Sequence, residues 1–528
     1  MLPYARIAST LHEISRASRS EKVDLAADLL ADLETEMICP VVRLMLGELW
    51  PPWEHREMEV GPEAVLAALA KVSKKDVLLL RTELEEIGSV AEAALQKKCL
   101  HTLFKEPLDA LRVYEGLRRI SRMSGPDSEH RKRALLSGMF LEAEPLEGKY
   151  IARTALRNML VGFGPKSLIS ALSKAFDCDG NDLNRAYNLL PDAGSIAIAA
   201  MKRELKGIAL EPSRPVKPMI IRPGKVVTPG AFLPKYPGLK VQVHLLRGKI
   251  FIFTSNLRDV APDLNGLVGE LNHLKQDLII DAELVGFFQG RILGQDEILR
   301  YINRRNYSRR SKVHPALIAY DLIYQQGEDL TDLPYKERHR RLLQAIGEPK
   351  HYPFQGISPA KERVLNNRED ADMFCVEALK GGTQGLIVRD LQGPYLPGQI
   401  SSFDSIIGKE ETIAAMVVEA RFGSGTRGRL LERYHVALRD DDELMPVGWV
   451  GSGLKMAEKK ALSDRLMTLA LHQNPQGAKV RPQVSLVLKI TGARRIKDGY
   501  RLLRPTIIEV NLDAALEDVD EIGILAKV

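Results

Sequence analysis

The stretch PKYPGLKVQVHLLRGKIFIFTS, Pro234 to Ser255, decides how the chain is read. Val241, Val243 and Leu245 alternate with Lys240, Gln242 and His244, the period of two expected of a strand with one apolar face. Arg247-Gly248 turns the chain and Ile250 to Phe253 returns, so the stretch reads as a β-hairpin. Downstream, LIIDAELVGFFQGRI (Leu278 to Ile292) repeats the strand-turn-strand signal, and YKERHRRLLQAI places a helix among the strands. These segments imply a mixed α+β domain.

Working outward, Pro212, Pro215, Pro218, Pro223, Pro229, Pro234 and Pro237 mark a linker and an irregular entry to that domain. Residues 1 to 206 read as helix throughout. Tyr4, Ile7, Leu11 and Ile14 recur at helical spacing, as do Leu25, Leu29, Leu30 and Leu33. Gly125-Pro126-Asp127-Ser128 breaks that pattern and then offers helix-capping residues. From about Glu410 the texture is nearly all strand, in TIAAMVVEARFG, RYHVALRDDDELMPVGWVG and QVSLVLKI. Such short, turn-bounded strands suit a small closed barrel of the OB-fold type. The expected domains are 1–206, 207–409 and 410–528, in keeping with 528 residues at ~150 per domain.

Composition narrows the class. No apolar run reaches the ~20 residues of a membrane span, and MLPYARIASTLHEISR lacks the apolar block of a signal peptide. Cys39, Cys99, Cys178 and Cys375 are scattered, with no CxxC pair, so a disulfide framework is not expected. The reading is a soluble protein of a reducing compartment, cytoplasmic and nucleoid-associated or nuclear. A net charge of +6 is permissive for nucleic acid, and two clusters are sharper. Arg300 to Lys312 holds six basic residues and no acid. Arg118, Arg119, Arg122, Arg131, Lys132 and Arg133 surround the Gly-Pro turn. Such clusters suit phosphate contacts, although a solvated face explains either one taken alone equally well.

Six segments carry a resemblance, in the order PKYPGLKVQVH, IFIFTSNLRDVAPDL, LIIDAELVGF, ALIAYDLIYQQGEDL, GTQGLIVRD and GQISSFDSIIGKEE. Each alone is weak, but the series resembles the nucleotidyltransferase motifs of archaeal and eukaryotic-type ATP-dependent DNA ligases. The ends agree with this. GPDSEHRK and YIARTALRNMLVGFG resemble the family's helical DNA-binding domain, and GYRLLRPTIIEVNLD resembles the end of its barrel. An RNA ligase or capping enzyme fits less well, because neither usually carries this helical first domain.

The resemblance implies an all-helical DNA-binding domain, an α+β adenylation core and a C-terminal OB-fold. It implies nick sealing in duplex DNA through a lysyl-AMP intermediate with ATP and Mg²⁺, in DNA repair, replication and recombination. The chain would act as a monomer away from membranes, with a sliding clamp left open as a partner. Residue by residue, Lys235 matches the nucleophile, a residue type that is otherwise a solvated surface amine by default. Lys240, Glu283, Tyr320, Arg389 and Lys409 match nucleotide contacts, and Glu283 also a metal contact. Arg118, Arg119, Arg131, Lys132, Arg304, Arg305, Arg309 and Arg310 are the candidate DNA contacts.

Several matched positions depart from the family pattern. Leu233 stands in place of a Glu, Pro237 of an Asp, Lys240 of an Arg and Ser255 of an Arg. Tyr320 replaces a Phe, Gln384 a Glu and Arg389 a Lys. Losing one preorganised charged donor at a reacting phosphate typically costs ~10²- to 10³-fold in rate. Two readings therefore stay open: a working or weakened nick-sealing ligase, and a catalytically inactive homologue that binds nicked or duplex DNA.

Overall fold

A computed structural model describes residues 2–526 except 55, 57, 85, 99–106, 223–225, 304–312, 352–353, 408–411, 424–429, 475, 491–492 and 497–498. Two compact units are present, Met1–Tyr187 with Pro191–Ile208, and Asn188–Leu190 with Ala209–Val528.

The first unit is built of helices. The stripe Tyr4, Ile7, Leu11 and Ile14 lies on the helix Tyr4–Ile14, and all four side chains are wholly buried. The helix Ala110–Arg122 buries Val113, Tyr114, Leu117 and Ile120 and leaves arginines on its other face. Asp109 caps it, accepting the N–H groups of Leu111 and Arg112 at 3.0 and 3.1 Å. The break at Gly125 to Ser128 is where the sequence places it, but the capping differs. Asp127 adopts a left-handed φ of 61° and makes no side-chain cap bond to the helix Ser128–Glu142. A capping side chain needs extended backbone, which that φ denies it.

The second unit opens with eleven described strands: β1 Gly230–Pro234, β2 Leu239–Leu246, β3 Lys249–Thr254, β4 Leu278–Phe288, β5 Arg291–Ile292, β6 His314–Gln325, β7 Glu328–Asp329, β8 Gly356–Pro359, β9 Arg363–Leu365, β10 Leu386–Arg389 and β11 Ser405–Ile407. They form two sheets. One is four-stranded in the order β11-β10-β1-β9; the other runs β3-β2-β4-β6-β7, with β5 on β4 and β8 on β6. The hairpin expected at Pro234 to Ser255 is β2-β3, paired from Val241↔Thr254 to Leu246↔Lys249. The proline-punctuated segment lies along the polar face of β2. Gln242 there accepts the Val216 N–H at 3.1 Å and donates back to the Val216 carbonyl.

The C-terminal part is strand-rich: β12 Thr412–Phe422, β13 Leu431–Asp440, β14 Glu443–Val450, β15 Ala470–Asn474, β16 Gly477–Val480, β17 Ser485–Lys489, β18 Ala493–Ile496, β19 Gly499–Leu502 and β20 Thr506–Asn511. Seven of these form one sheet, β14-β13-β12-β16-β15 with β17 joining β12 to β20. β12 serves two partners on one edge, β17 through Thr412–Met416 and β16 through Glu419–Arg421. Its register against β13 shifts between Val417 and Glu419, a bulge that bends the strand from one partner to the other. No ladder joins β14 to β20 among the described residues.

Candidate active site

β1 is buried along its whole length because it runs between β9 and β10. Lys235 is the residue immediately beyond it. Its N–H donates to the Gly385 carbonyl at 2.9 Å, and its carbonyl accepts the Gln384 N–H at 2.7 Å. The ladder therefore carries one residue past the strand and holds the lysine backbone from both sides. The side chain itself remains 25% exposed. Three residues on, Gly238 passes so close to β4 that a Cβ there would lie 2.5 Å from the Leu284 carbonyl oxygen and 2.6 Å from Glu283 Cγ. The Lys-x-x-Gly spacing thus brings the chain just after the lysine against Glu283, within range of the lysine's charge, and only glycine fits the approach. Gly238→Ala is expected to destabilise the protein by ~1–3 kcal/mol, since overpacking forces backbone to move; thermal unfolding checks this.

The second sheet turns one face towards β1. Alternation puts Leu239, Val241, Ile280, Ala282 and Leu284 into one apolar core. On the other face Lys240 stands in register with Glu283, and Gln242 with Asp281. Lys240 Nζ donates to Asp281 Oδ2 at 3.2 Å and to the Met219 carbonyl at 3.4 Å. The Tyr395 hydroxyl donates to the same Asp281 oxygen at 3.2 Å, while Asp281 Oδ1 is buried without a partner. Burial pushes the Glu283 carboxyl up to about 7, although the charges of Lys235 and Lys240 pull the other way. Tyr320 reaches the same place from β6. Its hydroxyl donates to the Pro234 carbonyl at 3.0 Å and accepts the Tyr236 N–H at 3.2 Å. One crevice therefore collects an amine, a second cation, two acids and a phenol.

Comparison with known proteins gives this arrangement its family. The family model for the DNA ligase N terminus matches residues 3–173, and that for the ATP dependent DNA ligase domain matches residues 227–403. A DNA ligase of Methanothrix thermoacetophila is 30% identical, over 100% of this chain and 98% of its own length. The chain belongs to the ATP-dependent DNA ligase family. A DNA ligase of Methanothermobacter thermautotrophicus is 29% identical over 99% of this chain and 97% of its own length.

Within this ligase-family chain the remaining candidate residues divide sharply. Arg389, matched to a nucleotide-contacting lysine, is buried in the protein's own ion pairs. Its guanidinium bonds Asp321, lies 3.3 Å from Asp404 Oδ2, and sits over the Tyr335 ring. Asp321 is shared with Arg338, whose Nε and Nη2 donate at 2.8 and 2.9 Å. That geometry engages the Arg389 guanidinium with the protein's own acids. Lys132 needs correcting as a DNA contact. It is 2% exposed, and its Nζ bonds the Met58 carbonyl at 3.0 Å and Glu59 at 2.8 Å. Arg119 and Arg131 are exposed, and Arg118 is half-buried over the Tyr114 ring. Arg304, Arg305, Arg309, Arg310 and Lys409 lie outside the described residues. Among the departures from the family pattern, Leu233 is buried in the apolar wall of the crevice, and Ser255 follows β3 directly.

One residue of the site has no counterpart among the sequence expectations. Glu509, on β20, brings Oε2 to 3.5 Å from Lys235 Nζ. Asn511 and Asp513 beyond it accept bonds from Gln295 and Asn256 at 2.9 and 2.8 Å. The C-terminal strand and the residues just after it are therefore tied to the core at three points, of which the Glu509 contact reaches the site. The only signal in the sequence is a single acid within the apolar run TIIEV.

Proposed function

We propose that the chain seals nicks in duplex DNA with ATP, through an adenylate on Lys235, its domains falling at 1–206, 207–409 and 410–528. What supports this reading is Lys235 itself: a part-exposed amine on a backbone held from both sides, beside Glu283 in the crevice of a ligase-family core. In the reaction, Lys235 Nζ attacks the α-phosphate of ATP, a P–N bond forms, and pyrophosphate leaves. AMP then passes to the 5′-phosphate at the nick, and the adjacent 3′-hydroxyl displaces it. A lysine acts as nucleophile only as the free amine. Lys240, held by Asp281 and the Met219 carbonyl, offers a fixed positive charge to the phosphates.

The acidic side chains suit a hard divalent cation. Mg²⁺ takes one or two carboxylates and completes its shell with water and phosphate oxygens. Glu283 and the unpartnered Asp281 Oδ1, two residues apart on β4, are the oxygens that fit. Bound there, Mg²⁺ would neutralise charge on the phosphates.

Leu233, Pro237, Ser255 and Gln384 lack the charged groups that the family pattern supplies, so the activity is expected to be below that of a ligase with the full set. Incubation with α-labelled ATP and Mg²⁺, followed by denaturing electrophoresis, tests the reading. A protein-bound label that nicked DNA chases off is the expected result. A folded protein that binds DNA but never takes the label would overturn it in favour of binding without chemistry.

Glu509 adds a further expectation. Its carboxylate stands where the anionic triphosphate must approach Lys235, and charges ~4 Å apart near a surface repel by up to ~4 kcal/mol before solvent screening. Glu509→Gln should lower the half-saturating ATP concentration for adenylation by about three- to tenfold. An unchanged or higher value would show that the carboxylate is out of the way when ATP binds.

A further inference from the structure

The register of β6 against β4 carries an inference that rests on Lys235 being the nucleophile. Ala319 pairs with Ala282 and Asp321 pairs with Asp281, which leaves Tyr320 opposite no residue. Tyr320 is thus the extra residue of a β-bulge, a device that redirects side chains. The consequence is visible on either side of it. Ala319 and Leu322 both enter the large apolar core, whereas Tyr320 and Asp321, consecutive in sequence, both leave it. Both then point at the sheet that carries the lysine. Asp321 bonds Arg389, the β10 partner of Ala231 on β1. Tyr320 bonds the two backbone groups that flank Lys235, the Pro234 carbonyl and the Tyr236 N–H.

We propose that Tyr320 is a positioning residue for the nucleophile: its hydroxyl staples the peptide on each side of Lys235 and fixes the direction of the amine. The ring alone cannot do this. A phenylalanine would fill the same apolar space and leave a buried carbonyl and a buried N–H unpaired. The hydroxyl can serve both, because one O–H donates and its lone pairs accept. Burial holds the phenol far above its ordinary value, with the Glu283 charge acting in the same direction, so the proton stays in place to donate. The staple also suits this particular chain. Pro237, two residues beyond the lysine, brings no backbone N–H of its own to anchor the turn.

Tyr320→Phe separates the staple from any contact of the ring with nucleotide. Single-turnover self-adenylation should fall about tenfold at saturating ATP, because small displacements of a reacting group cost rate steeply. The half-saturating ATP concentration should stay within about twofold, since the ring face remains. Hydrogen exchange at the Tyr236 amide should quicken at least about tenfold as its bond is lost. A Phe variant that matches the parent in rate and in Tyr236 exchange would overturn the assignment. So would one that changes only the half-saturating ATP, which marks a nucleotide contact. A generally loosened protein would quicken exchange across β2 and β4 as well, and that too would count against a specific staple. A parent that forms no adenylate at all overturns the nucleophile reading itself, a different outcome from an active parent with an indifferent Phe variant.

Discussion

Lys235→Ala is expected to abolish the protein-bound adenylate, a loss of at least ~10³-fold, because a covalent step has no second route once its nucleophile is gone. The fold should survive the change. The bonds that hold Lys235 come from its backbone N–H and carbonyl, which alanine keeps, and the one recorded side-chain pair is a 3.5 Å contact with the partly exposed Glu509. Pairs of that kind contribute ~0–1 kcal/mol, so thermal unfolding should shift little. Lys240 is the informative control. Its amine is already engaged by Asp281 and the Met219 carbonyl, and its backbone is in the middle of a sheet. Lys240→Ala should therefore weaken adenylation by ~10²-fold, as expected for a lost charged group near phosphate, without abolishing it. A label at full strength in Lys235→Ala would sink the nucleophile assignment, and a complete loss in Lys240→Ala alone would exchange the two roles.

The elements that periodicity specifies were legible. The stripe Tyr4, Ile7, Leu11 and Ile14 could only face a core, and the alternation in LKVQVHLL could only be a half-polar strand. The match of Lys235 to the nucleophile position rests only on the series of motifs, since a lysine after a strand has no pattern of its own. What failed was the fate of charged residues. Lys132 was grouped with its basic neighbours, yet it shares helical spacing with Leu136, Met139 and Phe140, all buried. That spacing was present in the sequence and outweighed the charge run. Arg389 is different. In the strand LIVR nothing local distinguishes an arginine that meets a ligand from one that meets Asp321 and Asp404, because both partners come from elsewhere in the chain.

Long-range chemistry escaped for a related reason. Tyr320 was matched to a nucleotide contact at a position where the family pattern has Phe, which gives the hydroxyl no part. Its hydroxyl acquires its role only through a one-residue bulge that alternation cannot locate. Glu509 meets Lys235 across 274 residues of sequence, a separation at which no local rule operates. Sequence order also hides how much of the linker is structure. Its prolines forbid regular ladders, yet Val216 and Met219 bond Gln242 and Tyr395 and so support the polar face of β2 from outside.

Binding to duplex DNA is expected to weaken by ~10³-fold or more between 50 and 200 mM salt, provided six or more phosphates are neutralised. The helical unit offers Arg119, Arg122 and Arg131 exposed and Arg118 half-buried, on the helices Ala110–Arg122 and Ser128–Glu142 and their junction. The Arg118 guanidinium rests 5.3 Å from the Tyr114 ring centroid and 3.5 Å from Glu115 Oε1, so part of its charge is already met within its own helix. Each true phosphate contact should carry its own share of the salt dependence. Arg119→Ala should therefore reduce the slope of log affinity against log salt by about 0.9. Lys132→Ala makes the opposite prediction from the one its charge suggests. Its amine serves the Met58 carbonyl and Glu59 inside the helical unit, so the substitution should lower thermal stability and leave the salt slope unchanged. Measuring both slopes by anisotropy on a nicked duplex separates surface cations from buried ones. A flat salt dependence in the parent would remove phosphate contacts as the basis of binding. A slope lost in Lys132→Ala but kept in Arg119→Ala would mean that the helices present a different face to DNA.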